Sequence, residues 1–266
     1  MKGIIYYTHN KCQERILLTC RKQLQKCADL YGMPIVSVSL FPIPFGNNVV
    51  MDMDSSELSM FKQILKALET IDTDIVFHAE HDVLYHPSHF EFTPPREDTY
   101  YFNINVWSVN ASDGQALFYE GMRMTSGLVA NRQILIEGYK RKIYWSEKDG
   151  FSRRRIGFEP GRRLSSETRK DDYPWENFKS AYPNVDIKHD DNITRKRFQL
   201  SDYRCAERIK DSFTLADEIP HWGKTKGRFE QFLREQYYGK DQDYRQAQDQ
   251  SRKREQPYLS ENQYAG

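Results

Sequence analysis

Three short apolar runs in the first eighty residues, separated by two stretches of helical period, restrict the possible folds of this chain more than any other feature. The runs are Gly3-Ile4-Ile5-Tyr6-Tyr7-Thr8, Ile35-Val36-Ser37-Val38-Ser39-Leu40 and Asp74-Ile75-Val76-Phe77-His78-Ala79. Each has the length and composition of a buried strand. Over residues 13–30, Ile16, Leu17, Cys20, Leu24, Cys27 and Leu30 recur at helical spacing, and Gly32 stands where a helix would stop. Over residues 56–70, Leu58, Phe61, Ile64, Leu65 and Leu68 repeat the pattern, after a loop of Pro, Gly and Asn at 41–48. Alternation of strand and helix predicts an α/β layer with a mainly parallel sheet flanked by helices, since parallel neighbours need a crossover between them.

Ligands in such sheets collect beyond the carboxyl ends of the strands. Thr8-His9-Asn10, the 41–48 loop and Glu80-His81-Asp82 all fall at such ends. Carboxylates at i and i+2 on extended backbone face the same side and can grip a hard cation. The other reading of Glu80 and Asp82 is a solvated strand end. Aromatic and histidine residues in Val83-Leu84-Tyr85-His86-Pro87-Ser88-His89-Phe90 favour the cation.

Further along, the spacing predicts strands at 100–107, 116–119 and 185–187, and helices over 127–143 and 226–237. Residues 144–185 read as loop-rich and basic, and 120–126 carry no clear pattern. His189 follows the 185–187 strand and could add an imidazole to the same ion, a ligand mixture that suits manganese. Glu159, between Gly157 and Gly161 in the basic loop, is a candidate general base or the charged member of an ordinary turn. Thr125-Ser126-Gly127 reads either as an oxygen-binding helix start or as a simple cap. His221-Trp222-Gly223-Lys224-Thr225-Lys226 lacks the spacing of a phosphate loop. Lys224 or Lys226 could still meet a diphosphate.

A length of 266 residues fits one large domain with appended pieces. The formal net charge of +1 excludes a generic polyanion binder, but the charge is unevenly spread. Residues 51–100 hold 11 acidic against 3 basic side chains, and residues 140–170 hold 11 basic against 4 acidic. The first region would gather cations and the second would meet polyanions, unless both are simply solvated faces. Cys12, Cys20 and Cys27 are spaced to lie near one face of a helix, and Cys205 stands apart. No CxxC pair occurs, so neither a zinc site nor a disulfide framework is suggested, and reduced cysteines are expected. No stretch reaches the ~20 apolar residues of a membrane span, and the N-terminus does not read as a signal peptide. A soluble, cytoplasmic protein is the expectation.

Tyr6-Tyr7-Thr8-His9-Asn10, the block from Glu80 to Pro87, Asp186-Ile187-Lys188-His189 and Trp222-Gly223-Lys224-Thr225 together resemble GT-A type glycosyltransferases, in particular a group found in bacteriophage and metagenomic sequences. The resemblance spans about residues 1–235. It implies a Rossmann-like GT-A domain with a donor half over about 1–110 and a loop-rich acceptor-side half over 111–235. Residues 236–266, rich in Gln, Asp, Lys and Arg, read as a flexible charged tail. Glu80-His81-Asp82 is a variant of the family's Asp-x-Asp motif, with Glu80 in place of the first Asp. The resemblance implies Mn²⁺ or Mg²⁺ held by Asp82, Glu80 and His189, and a nucleotide diphosphate-sugar donor meeting Tyr7, Thr8, Asn10 and Lys224. Glu159 would be the base of an inverting reaction. Phage relatives imply hydroxymethylated DNA bases as acceptor, while a surface glycan, a protein, or a non-catalytic binding role remain as alternatives.

Overall fold

A computed structural model describes residues 1–161 and 173–238. The chain begins with β1 (Lys2–Thr8), α1 (Glu14–Tyr31), β2 (Ile35–Ser39), β3 (Asn47–Val50), α2 (Glu57–Thr70) and β4 (Ile75–Glu80). A short β5 (Val83–Leu84) and a one-turn α3 (Ser88–Glu91) follow, then β6 (Tyr100–Asn103), β7 (Val106–Asn110), β8 (Ala116–Phe118), β9 (Leu128–Asn131) and α4 (Arg132–Asp149). The last elements are β10 (Trp175–Phe178), β11 (Asn184–Lys188), α5 (Ala206–Ile209), β12 (Thr214–Ala216), the pair β13 (Glu218–Ile219) and β14 (Gly223–Lys224), and α6 (Phe229–Tyr238).

Seven strands form the main sheet in the order β10-β6-β9-β4-β1-β2-β3. Within it β9 alone runs against its neighbours, so the expected mainly parallel α/β layer is present. β1 shows why its run is apolar throughout. Ile5 and Tyr7 pack on one face with Phe61, Ile64 and Leu68 of α2 and with Leu135 of α4. Ile4 and Tyr6 pack on the other with Leu24, Cys27 and Ala28 of α1. A parallel strand covered on both sides has no solvent face to alternate toward. Ser56 caps α2 in a reciprocal box with Ser59, and Gly32 ends α1 in the left-handed region at φ 60°.

A second sheet, β12-β8-β7-β11-β5, packs its apolar side with Ile16 and Cys20 of α1 and Phe232 and Leu233 of α6. The continuous apolar run at 100–107 predicts one strand, but the structure divides it between the two sheets. The cause is Asn103. Its side-chain oxygen accepts from the Asn105 and Ser180 amides, and its Nδ2 donates to Ser180 Oγ and contacts His89 Nδ1. The backbone therefore turns between β6 and β7, and β10 and β11 make the same step beside them.

The helix predicted over 127–143 is also corrected. Residues 128–131 are β9, inserted between β4 and β6, and the helix starts at Arg132 with the Asn131 side chain accepting from the Gln133 amide. Val129 and Ala130 are buried as sheet core, so tertiary pairing outweighs a pattern compatible with either element. Thr125–Gly127 form a short 3₁₀ turn leading into this strand, not a helix start. The predicted 41–48 loop ends in β3, which adds a parallel edge beside β2. α4 reaches Asp149, into the segment expected to be loop, and Cys12 lies ahead of α1 instead of on its face. Of the expected tail, residues 236–238 complete α6, and 239–266 lie outside the described residues.

Candidate functional site

The carboxyl ends of β1 and β4 lie side by side, with Tyr7 opposite Glu80 in the parallel register. Beyond them a cavity of about 210 Å³ opens. Its floor comprises Tyr7, Thr8, Glu80, His81 and Asp82, and one wall is formed by Ser108, Tyr119, Met122 and Met124. Glu159 and Phe158 close another side, and Arg123, Arg153, Lys188, Arg195 and Arg197 supply positive charge around it. Anionic and cationic linings are thus contributed by separate segments of the chain, with Lys188, Arg195 and Arg197 more than a hundred residues beyond Asp82.

Each acidic residue has its own environment. Glu80 ends β4, and the chain turns at His81 and Asp82, so the extended backbone assumed for the pair does not continue past Glu80. The Tyr7 hydroxyl donates to Glu80 Oε1 at 2.6 Å, and the Glu80 amide donates to the Tyr85 hydroxyl. Burial, with the neighbouring Asp82 charge, pushes the Glu80 carboxyl up to about 8, despite the opposing Tyr7 bond. Asp82, 3% exposed, accepts from Asn192 Nδ2 at 2.5 Å and lies 3.5 Å from His189 Nε2. Burial works to raise its carboxyl, but His81, His189 and Lys188 outweigh that and hold it well below the carboxylate range. One oxygen, Asp82 Oδ1, is buried without a hydrogen-bond partner, as is His81 Nε2.

β11 delivers the opposing residues. Alternation puts Asp186 and Lys188 on one side of the strand, where they form a 2.5 Å ion pair. Burial opposes the Lys188 charge, yet Asp186 and Asp82 hold the ammonium above its ordinary value. His189 follows directly and is 1% exposed. Its amide donates to the Asn192 side chain, which fixes the turn after the strand.

Tyr7, Thr8, Glu80, Asp82 and Glu159 therefore line one cavity, with His189 against Asp82 behind it. Asn10 does not line it. At φ 63°, its side chain accepts from the Leu40 and Phe41 amides and donates to the Phe41 carbonyl, clamping the loop after β2 to the loop after β1. Lys224 is exposed on β14 and also lies away from the cavity, and Lys226 pairs with Asp217. The cation beside the acidic floor is Lys188, which the i, i+2 spacing from Asp186 could have revealed. Cys12 joins the site as well. Its sulfur and a nitrogen from each of His81 and His189 lie within 4.8 Å of one another, a proximity that no local spacing encodes.

The donor set fits a divalent cation: the Asp82 carboxylate, whose buried Oδ1 has no partner, lies against His189 and beside His81, where an uncompensated charge would be costly. Among the described residues no helix is long and apolar enough to cross a membrane.

No protein-family model matches the sequence, and no curated protein resembles it significantly. Among solved structures, similarity is found to the apo form of the glycosyltransferase GlyE of Streptococcus pneumoniae, at 14% identity over 94% of this chain and 64% of that one, with a TM-score of 0.40. A Pyrobaculum calidifontis mannosyltransferase solved with GDP-mannose and Mn²⁺ gives 11% identity over 89% and 69%, with a TM-score of 0.39. A glycosyltransferase involved in glycosylation of the major capsid of the virus PBCV-1 gives 11% over 56% and 67%, with a TM-score of 0.37. Likenesses this loose transfer no residue roles to this chain.

Proposed function

We propose that this chain is a metal-dependent glycosyltransferase that moves a sugar from a nucleotide diphosphate-sugar to an acceptor hydroxyl. The observation that carries the reading is the joining of an acidic, cation-ready floor to a basic wall in one cavity at the carboxyl ends of parallel strands. A sugar diphosphate needs both: a cation site for its phosphate oxygens and fixed positive charge for the departing anion.

Asp82 and His189, with Glu80 beside them, would hold Mn²⁺ or Mg²⁺. When bound there, the ion supplies Lewis-acid stabilisation of the diphosphate leaving group. Tyr7 and Thr8 line the nucleotide side, and Asn10 supports them by tying the loop after β2 to the loop after β1. Lys188 replaces Lys224 as the cation beside the diphosphate. Glu159, which also lines the cavity, would take the proton of the acceptor hydroxyl as it attacks the anomeric carbon. The donor half would correspond to about residues 1–110 and the acceptor side to 111–235.

Arg153, Arg195 and Arg197 at the cavity favour a polyanionic acceptor, and hydroxymethylated bases in DNA fit that chemistry. Arg162 and Arg163, in the basic stretch 140–170 expected to meet polyanions, lie outside the described residues.

The test is thermal stabilisation by a panel of nucleotide-sugars with and without Mn²⁺, followed by donor hydrolysis. Stabilisation by one donor only when Mn²⁺ is present, lost in Asp82→Ala with the fold intact, is expected. Full turnover in Asp82→Ala would remove the metal assignment, and no response to any donor would remove the transferase reading.

A further inference from the structure

Cys12 and His81 stand beside the proposed metal ligands, and the proposed reaction gives neither a task. The loop that carries Cys12 is firmly held. The Asn10 amide donates to Thr8 Oγ1, the Asn10 side chain is tied to residues 40 and 41, and His9 Nε2 contacts the Asp191 carbonyl at 3.0 Å. That last contact joins the loop after β1 to the turn after β11. The His81 ring is inserted beside both, with its centroid 5.0 Å from His9 and 5.9 Å from His189. The result is a triangle of Cys12 sulfur and one nitrogen each from His81 and His189, all within 4.8 Å, drawn from three separate loops.

We propose that Cys12, His81 and His189 form a binding site for a thiophilic divalent cation of the zinc type, with Asp82 at its edge as a fourth donor. Thiolate and imidazole donors select zinc or cobalt over magnesium and manganese, which prefer oxygen. Two further observations point at an ion. His81 Nε2 is buried without a partner, and so is Asp82 Oδ1, on a residue only 3% exposed. A buried polar atom in this state calls for a group to satisfy it, and these two sit on adjacent residues, one of which supplies a corner of the triangle. Binding would replace the thiol proton by the metal, Cys–SH plus M²⁺ giving Cys–S–M⁺ and one H⁺ released. An ion with donors at about 2.0–2.3 Å would draw the triangle inward.

The site itself does not depend on the transferase reading. One consequence does: His189 and Asp82 belong to both donor sets, so a zinc-type ion and the manganese of the proposed reaction compete for them.

The test uses the metal-stripped full chain titrated with Co²⁺, whose spectrum reports its ligands. One equivalent should produce a thiolate-to-cobalt charge-transfer band with intense tetrahedral d–d bands, and release a proton per ion. Zn²⁺ should abolish both bands at one equivalent, and a hundredfold excess of Mg²⁺ should not. Cys12→Ser should lose the charge-transfer band, His81→Gln should weaken Co²⁺ binding tenfold or more, and Cys205→Ser should behave as wild type. Cys12→Ala is a second variant should the serine perturb folding, and the wild-type spectrum needs no variant. A cobalt complex of the wild type lacking the thiolate band overturns the proposal, as does a full band in Cys12→Ser. Mn²⁺-dependent donor hydrolysis is measured separately. A thiolate band without hydrolysis removes the transferase reading alone, and hydrolysis without the band removes the thiophilic site alone.

Discussion

Tyr7 and Glu80 are register partners across the parallel pair of β1 and β4, and the Tyr7 hydroxyl donates to Glu80 Oε1 at 2.6 Å. The bond orients a half-buried carboxylate toward the cavity and leaves its second oxygen for another partner. Tyr7→Phe retains the packing of the ring and removes only this bond. Loss of a hydrogen bond behind a metal-binding carboxylate typically costs about 10–100-fold in metal affinity. Mn²⁺ titration followed by electron paramagnetic resonance should show weakening at the lower end of that range. Unchanged affinity would mean Glu80 stands outside the metal site.

Asn192 connects Asp82 to His189, donating to the carboxylate and accepting from the His189 amide at 2.7 Å. It is a positioning residue. Asn192→Ala should weaken Mn²⁺ by about tenfold or more. Asn192→Asp, which sets a second carboxylate against Asp82, should cost more than alanine in the metal-free protein's melting temperature and less once Mn²⁺ is added. A structural role alone would give no such rescue by the ion.

Asn103 holds the step between the two sheets through bonds to Asn105, Ser180 and His89. Asn103→Ala leaves buried backbone and side-chain groups unpaired, which predicts a loss of about 2–4 kcal/mol in urea unfolding. A change below half a unit would show that the step is held by the ladder alone.

His78 and His89 are fully buried, and burial brings both imidazoles down to about 3 from an ordinary 6.5. Below 6.5 the unfolded chain takes up protons that the folded chain refuses. Stability is therefore complete above that pH and falls as pH drops from 6.5 toward 3, by about 1.4 kcal/mol per pH unit for each histidine. The urea midpoint should decline clearly between pH 7 and pH 5. A flat midpoint over that interval would show that both rings titrate in the fold as they do in the unfolded chain.

If the acceptor is a polyanion, removing Arg153, Arg195 and Arg197 singly should weaken acceptor binding about equally across sequences. Each arginine that meets a phosphate should reduce the salt slope of log affinity by about 1. Acceptor affinity independent of salt would point to a neutral glycan or a protein surface instead.

The sequence by itself determined the first half of the fold. Buried parallel strands require apolar runs and their crossovers require amphipathic helices, and both are local patterns, so β1, α1, β2, α2 and β4 stand close to where they are expected. It also marked the acidic turn, because strand ends in such sheets face ligands. Tertiary structure decided what periodicity cannot carry. Residues 128–131 fit a helix until β4 and β6 offer a slot between them, and residues 100–107 read as one strand until Asn103 finds Ser180 and His89. The same holds at the site. Asn10 and Lys224 have suitable chemistry, but the fold uses the first as a clamp and leaves the second exposed on β14. Lys188 and Cys12 enter because a parallel β11 and a pinned loop bring them beside Asp82 and His81. Which side chains share a cavity is fixed by the pairing of distant strands, and that pairing is a property of the whole sheet.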